Sequence, residues 1–253
     1  MAASRILERA RNFVNWHVSP RVPVKGIRSR LNAPIASFTF DDVAQSAVRA
    51  GAPVLERHDA RGTFYLSAAL CGTRDEDGIE YFDVDDLKLL HAHGHEIGDH
   101  GFLHRPVPEL SNAQLIDGIG RNRAFVREAL GDVQPSAFAY PYGATSLRTK
   151  RLFSRRFASC RGTGFGLNSG LLDLAQLKVV RIDMDFAPRL DLDAVIAQCV
   201  ARNAWIIFLM HDVSDTPSRF GCTGEMLERA VLSCRDAGIR IAPVRNALAQ
   251  ACF

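Results

Sequence analysis

Five of the eight histidines in this 253-residue chain crowd into one short window, at His91, His93, His95, His100 and His104. Upstream, two adjacent carboxylates, Asp41 and Asp42, close the apolar run Ile35–Phe40. Histidine is the commonest protein metal ligand near neutral pH, and an Asp/His ligand set leaves a cation with open positions for water and substrate. Two neighbouring carboxylates repel unless a positive partner keeps both ionised, and a divalent cation is such a partner. One Asp can then hold the ion while the other stays free to take a proton. The same dipeptide also suits the N-cap of a helix starting near Ala44. His100 and His104 have the i, i+4 spacing that puts two imidazoles on one face of a helical turn, although H-x-x-x-H alone is a weak signal.

Three further groups can do chemistry. His211 follows the apolar run Trp205–Met210 and, at the mouth of a buried strand, is a candidate general acid. Asp185 is a candidate partner to orient its imidazole. The segment Phe138–Gly143 bends sharply at Pro141, where a backbone N–H such as that of Tyr142 can donate to a developing oxyanion.

The elements that must position these groups alternate in type. Strand-like runs fall at Ile35–Phe40, Thr63–Leu66, His95–Gly98, Ala137–Tyr140, Phe157–Cys160, Lys178–Ile182, Trp205–Met210 and Ile239–Pro243. Helical segments are expected at Ala44–Arg57, from Asp83 towards His93, from Ser111 to Leu130, near Thr145–Arg156, at Leu192–Asn203 and at Glu225–Ala237. Ser111 with Gln114 makes a capping-box pattern, and Asp83 is placed to cap its helix. This β/α alternation predicts an α/β fold with a mostly parallel sheet. Because the chemical residues sit at strand C-terminal ends, a distorted (β/α) barrel of about seven parallel strands fits better than an open sheet.

Composition bounds the rest. A hydrophobic share of 47% with 23% charged residues is that of a globular protein, and the net charge of +3 is too small to argue for nucleic acid. The longest uninterrupted apolar run, Trp205–Met210, is far short of the ~20 residues needed to cross a bilayer. The start of the chain has no apolar core of signal-peptide length, so a cytoplasmic protein is expected. The six scattered cysteines form no C-x-x-C pair and suggest neither a zinc ribbon nor a redox motif. Residues 1–34 read as a basic N-terminal arm ahead of a catalytic domain over 35–253. Seven Arg/Lys against the single acid Glu8 fall in residues 1–30, with a helical stripe of Ile6, Ala10, Phe13, Val14 and His17. Such an arm can make peripheral contact with an anionic membrane, and the pattern equally fits a helix packed on the domain with a solvated basic face.

Taken in order, Thr39-Phe40-Asp41-Asp42, Gly98-Asp99-His100-Gly101-Phe102-Leu103-His104, Phe138-Ala139-Tyr140-Pro141-Tyr142-Gly143, Asp185-Phe186 and Leu209-Met210-His211 resemble the polysaccharide deacetylases, carbohydrate esterase family 4, with the nodulation-type deacetylase homology domain. The resemblance runs from about Ile35 to Pro243 and includes Gly62-Thr63-Phe64-Tyr65 as a second strand. It implies a divalent metal, zinc first with cobalt or nickel as alternatives, held by Asp42, His100 and His104. It further implies Asp41 as general base, His211 as general acid, the Tyr142 amide at the oxyanion, and removal of acetyl groups from an N-acetylated amino sugar in an oligosaccharide, glycan or lipid-linked form. The chain departs from the family pattern at Ala139, where many members carry an Arg that steadies the catalytic Asp, at Phe186 in place of Trp, and at Gly101 in place of Ser or Thr. An amidohydrolase of small cyclic amides or ureides, an O-acetyl esterase and a non-enzymatic sugar-binding module are the alternatives.

Overall fold

A computed structural model describes residues 19–252 of the chain. The strands are β1 (Gly26–Arg28), β2 (Ile35–Asp41), β3 (Thr63–Leu66), β4 (Glu96–Asp99), β5 (Ala137–Ala139), β6 (Ser159–Phe165), β7 (Leu171–Asp173), β8 (Leu177–Arg181), β9 (Trp205–Met210) and β10 (Arg240–Ile241). The α-helices are α1 (Ala52–Glu56), α2 (Val84–Ala92), α3 (Asn112–Leu130), α4 (Leu147–Ser154), α5 (Leu192–Ala201), α6 (Gly224–Asp236) and α7 (Val244–Cys252). Seven parallel strands run in the order β2-β3-β4-β5-β6-β8-β9, and pairing of β9 back onto β2 closes them into a barrel. The short β10 adds itself beside the first residues of β2.

The two-residue period of a strand sorts the side chains into an interior and an outer layer. Along β2, Ala36, Phe38 and Phe40 join the cluster packed beneath the helices. The alternate residues turn inward, where Ser37 accepts the indole N–H of Trp205 and Thr39 donates to the Phe208 carbonyl. Along β9, Ile206, Phe208 and Met210 face the helices, and Trp205, Ile207 and Leu209 fill the interior. Asp41 and His211 share the inward parity of their strands. On β4, Ile97 joins the outer cluster and Asp99 accepts from Asn122 of α3, so His100 is inward by the same rule.

Helix starts are satisfied locally. Ser111 and Gln114 form the expected capping box, Asp83 forms one with Asp86, and Ser146 forms one with Thr149. The helix expected over Ala44–Arg57 opens instead as a π-helical turn, Ala47–Gly51, before α1. The strand expected at Phe157–Cys160 runs later, over Ser159–Phe165.

Three elements, α7, β1 and β7, were not expected from the sequence. Helix α7 packs Val244, Ala247 and Ala251 against the inner cluster. Its first free amides are taken by Thr63 Oγ1 and by the buried Glu96 carboxylate, at 2.9 Å each. Strand β1 pairs antiparallel with β7. The described part of the basic arm is therefore fastened to the domain. Asp173 accepts from the Val24 and Lys25 amides, and the buried ammonium of Lys150 bridges Asp173 to the Ser19 and Val22 carbonyls. The helical stripe proposed for Ile6–His17, and the membrane contact that would use it, lie outside the described residues. Among the described residues no helix is long and apolar enough to cross a membrane.

Gly98 faces inward on β4 at a point where a Cβ would overlap the Tyr65 ring. Overpacking of this kind costs about 1–3 kcal/mol. Gly98→Ala is expected to lower the unfolding free energy by that amount, read as a lower urea midpoint at an unchanged m-value.

Candidate metal centre

At the C-terminal end of the barrel, one ligand atom from each of Asp42, His100 and His104 lies within 4.8 Å of the others. Asp42 Oδ1 is 3.1 Å from His104 Nε2 and 3.4 Å from His100 Nε2. Strand parity alone would send Asp42 outward, opposite to Asp41. The chain avoids this by turning through left-handed conformations at Asp42 (φ 62°) and Val43 (φ 57°). For a β-branched residue such a conformation is strained, at a cost of order 1–3 kcal/mol. The strain is stored where the chain aims two consecutive carboxylates into one cavity.

The two histidines do not sit on the helical turn that their spacing suggested. Residues 100–106 form an irregular loop with left-handed backbone at Gly101 (φ 75°) and His104 (φ 47°), which brings the rings to a centroid distance of 5.1 Å. Each ring is oriented from behind. His100 Nδ1 donates to the Ala139 carbonyl at 2.9 Å, and His104 Nδ1 meets the Tyr142 hydroxyl at 3.3 Å. With its Nδ1 hydrogen on the Ala139 carbonyl, His100 turns an Nε2 lone pair towards Asp42, and His104 does the same in the tautomer whose Nδ1–H donates to the Tyr142 hydroxyl. Asp42 Oδ1 is buried and has no hydrogen-bond partner, despite two nitrogens close by. Three lone pairs converging in a buried space repel one another, and a cation between them removes the repulsion. The donor set of two nitrogens and one carboxylate oxygen suits a zinc-like ion.

The electrostatics agree. Burial pushes His100 down to about 3 and also lowers His104, so both rings are neutral ligands near pH 7. Burial pushes Asp42 up to about 7. Asp41 behaves oppositely. Burial is the largest influence and raises it, but the charge and hydrogen bond of Arg161 together with the charges of His100 and His211 outweigh burial and hold the carboxyl below the ordinary range. Arg161 is fully buried, ion-paired through Nη2 to Asp41 Oδ1, and stacked 4.7 Å over the Tyr65 ring. The other carboxylate oxygen of Asp41 lies 3.8 Å from His100 Nε2.

Arg161 was not picked out from the sequence. It stands beside Ala139 in the parallel register of β5 and β6, so the cation missing at position 139 is supplied from the adjacent strand. A signal was present: an arginine within the run Ser159–Gly164, where a buried strand has no place for an unpaired charge.

His211 lines the same cleft as the triad, together with Asp41, Tyr142, Thr163 and Arg181. Asp185 does not orient it. Asp185 is held by Arg181 and Arg219, and His211 Nδ1 instead donates to the Phe220 carbonyl at 3.2 Å. Tyr142 is itself left-handed (φ 58°), the consequence of the bend after Pro141. His91, His93 and His95 take no part in the site. His93 and His95 both bond to Glu56, and His95 accepts the Gly62 amide.

Comparison with known proteins gives matches of one kind. A family profile described as polysaccharide deacetylase matches residues 28–155. A peptidoglycan-N-acetylglucosamine deacetylase from Bacillus cereus is 25% identical over 201 residues, covering 77% of this chain and 67% of that protein. Among solved structures, a CE4 family pseudoenzyme from Bacillus anthracis superposes with a TM-score of 0.63 at 16% identity, over 92% of this chain and 71% of that one. The Xyl-CE4 domain of a multidomain xylanase from the hindgut metagenome of Trinervitermes trinervoides superposes at 0.59 and 16% identity, over 87% and 91%. These structural likenesses establish the fold. That one neighbour is a pseudoenzyme leaves catalysis to be argued from the residues.

Two predictions follow from the site's charges. The raised Asp42 means that the folded protein without an ion binds a proton between the ordinary carboxylate range and about pH 7, so its stability falls as pH rises through that window. A cation must displace that proton below pH 7. The thermal stabilisation given by a fixed zinc concentration is therefore expected to be larger at pH 7.5 than at pH 6, with apparent affinity falling up to about tenfold per unit. Arg161→Met is expected to destabilise the protein by about 3–5 kcal/mol, the usual cost of stranding one member of a buried pair. Adding Asp41→Asn should recover part of the loss in a denaturation double-mutant cycle.

Proposed function

The chain belongs to the polysaccharide deacetylase family, and on that premise we propose that it is a divalent-metal-dependent hydrolase that removes acetyl groups from N-acetylated amino sugars within a glycan. The observation that carries this reading is the convergence of Asp42, His100 and His104 beside a carboxylate, Asp41, that a buried arginine keeps ionised. A sugar-binding module has no use for a carboxylate so prepared.

When bound, the cation supplies charge to polarise the amide carbonyl and lowers the pKa of water to roughly 7. Asp41 has one oxygen gripped by Arg161, so the other takes the proton of the attacking water. Charge then gathers on the carbonyl oxygen, where the Tyr142 amide is the proposed protein donor. An amine leaves poorly unless protonated, and His211, on the same cleft, gives it a proton as the C–N bond breaks. Acetate and a free amino sugar result.

The cleft supports a chain of sugars rather than a small cyclic ureide. Its volume of about 1340 Å³ exceeds the ~300–1,000 Å³ typical of small-molecule pockets. Its lining includes the acids Asp75, Asp77 and Glu80 and the bases Arg181 and Arg219.

The test is acetate release from N-acetylated oligosaccharides, with acetyl esters and cyclic ureides in parallel, by protein loaded with zinc, cobalt or nickel. Asp41→Asn is expected to keep its zinc-induced thermal shift and lose about 10²–10⁴-fold in kcat, the range a general base supplies. His104→Ala should lose both. Equal turnover by Asp41→Asn and the parent protein would remove Asp41 as the base.

A further inference from the structure

His211 is aimed by a loop rather than by a carboxylate. Its backbone N–H and its ring Nδ1 converge on a single acceptor, the carbonyl oxygen of Phe220, at 3.1 and 3.2 Å. A carbonyl only accepts, so the ring nitrogen facing it carries hydrogen and Nε2 is the nitrogen left for the cleft. The Phe220 ring lies 5.6 Å from the imidazole, centroid to centroid. The aim of His211 therefore depends on what fixes the Phe220 carbonyl.

Residues 212–222 contain no helix or strand, and two of their internal bonds end on one buried side chain. Asp212, the residue after His211, is 5% exposed. Its Oδ2 accepts the Ser218 amide at 2.8 Å and its Oδ1 accepts the Ser218 hydroxyl at 2.5 Å. Ser218 passes the constraint on. Its Oγ accepts the Phe220 amide at 3.2 Å, and its carbonyl accepts the Gly221 amide at 3.1 Å. The Asp212 carbonyl accepts Cys222 N–H at 2.9 Å and closes the loop. Gly221 lies so close to the carboxylate that a Cβ there would overlap it. From outside, Asp185 grips Arg219 and donates its own amide to the Arg219 carbonyl, so it steadies the neighbour of Phe220.

We propose that Asp212 is a positioning residue that sets the tautomer and direction of His211 through Ser218 and the Phe220 carbonyl. The consequence for turnover rests on the deacetylase reading above, in which His211 is the proton donor. The effect on the ring does not.

The test uses the full chain loaded with zinc. Long-range ¹H–¹⁵N spectra report which ring nitrogen of His211 carries hydrogen, with His211→Gln giving the assignment, and kcat and KM are measured on an N-acetylated oligosaccharide. The parent protein is expected to show the Nδ1–H form when the ring is neutral, the form that takes up a proton on Nε2 and can then give that proton to the leaving amine. Asp212→Ala is expected to populate the Nε2–H form and to lose roughly tenfold or more in kcat, within the 10²–10⁴ that a general acid supplies, while KM changes little. Asp212→Asn keeps an oxygen for the Ser218 amide and offers an N–H to its hydroxyl, so it should retain the parent tautomer and most of kcat. Gly221→Ala crowds the loop without changing the carboxylate and should reproduce the Asp212→Ala spectrum. Gly221→Ala and Ser218→Ala decide the matter if Asp212→Ala does not fold. An unchanged tautomer and kcat in folded Asp212→Ala would overturn the proposal and leave the deacetylase reading standing. Absence of turnover in the parent protein would overturn that reading, while the spectra still decide the role of Asp212.

Discussion

Two adjacent carboxylates are buried at one end of the barrel, and the fold around them answers the charge of one and leaves the other without a counter-charge. Burial disfavours each charge, and their proximity disfavours the pair. Asp41 is answered by Arg161, a fully buried guanidinium delivered from β6. Asp42 has no such partner; it faces two neutral imidazoles whose lone pairs point the same way as its own. One carboxylate is thus balanced by protein and the other is left for a cation. In the function proposed above, the asymmetry separates the base from the ligand. A carboxylate already neutralised by arginine stays ionised whether or not an ion is bound, and one lacking a counter-charge binds an ion in exchange for a proton.

The barrel makes this arrangement simple to position. Inward parity on β2, β4, β6 and β9 carries Asp41, His100, Arg161 and His211 to the same mouth without special backbone geometry. At the mouth, distortion falls on the residues parity cannot serve. Asp42 and Val43 adopt left-handed backbone to turn the second carboxylate inward, and His104 and Tyr142 do so to place the second imidazole and the hydroxyl behind it. Four of the six left-handed non-glycine residues among the described residues lie at the site, and β6 shifts register against β8 just beyond Arg161. Local strain of this kind persists where surrounding structure over-determines it.

Two functions expected of particular side chains are performed from elsewhere. The cation expected at position 139 comes from its register partner, Arg161. The acceptor expected at Asp185 is the Phe220 carbonyl, while Asp185 works on the loop that carries Phe220. Both exchanges preserve a physical requirement, a positive charge beside Asp41 and an acceptor behind His211, and change the residue that meets it.

The sequence by itself determined the period and order of the elements. Alternating apolar runs and capped helical segments specify βα units, and the order of the short motifs identified the family and pointed to Asp42, His100 and His104 as candidate ligands beside Asp41. These signals are local: apolar periodicity, capping and residue type act within a few positions along the chain. The sequence did not reveal α7, whose polar and small residues pack only because the inner cluster is there to receive them, nor β1, which has no partner until β7 arrives from far along the chain. Only the tertiary structure decided that Arg161 serves Asp41, that Asp185 does not serve His211, and that the His100–His104 pair meets across a left-handed loop. Those choices depend on register between strands and on burial, and both come into being only when segments distant in the chain are brought into contact.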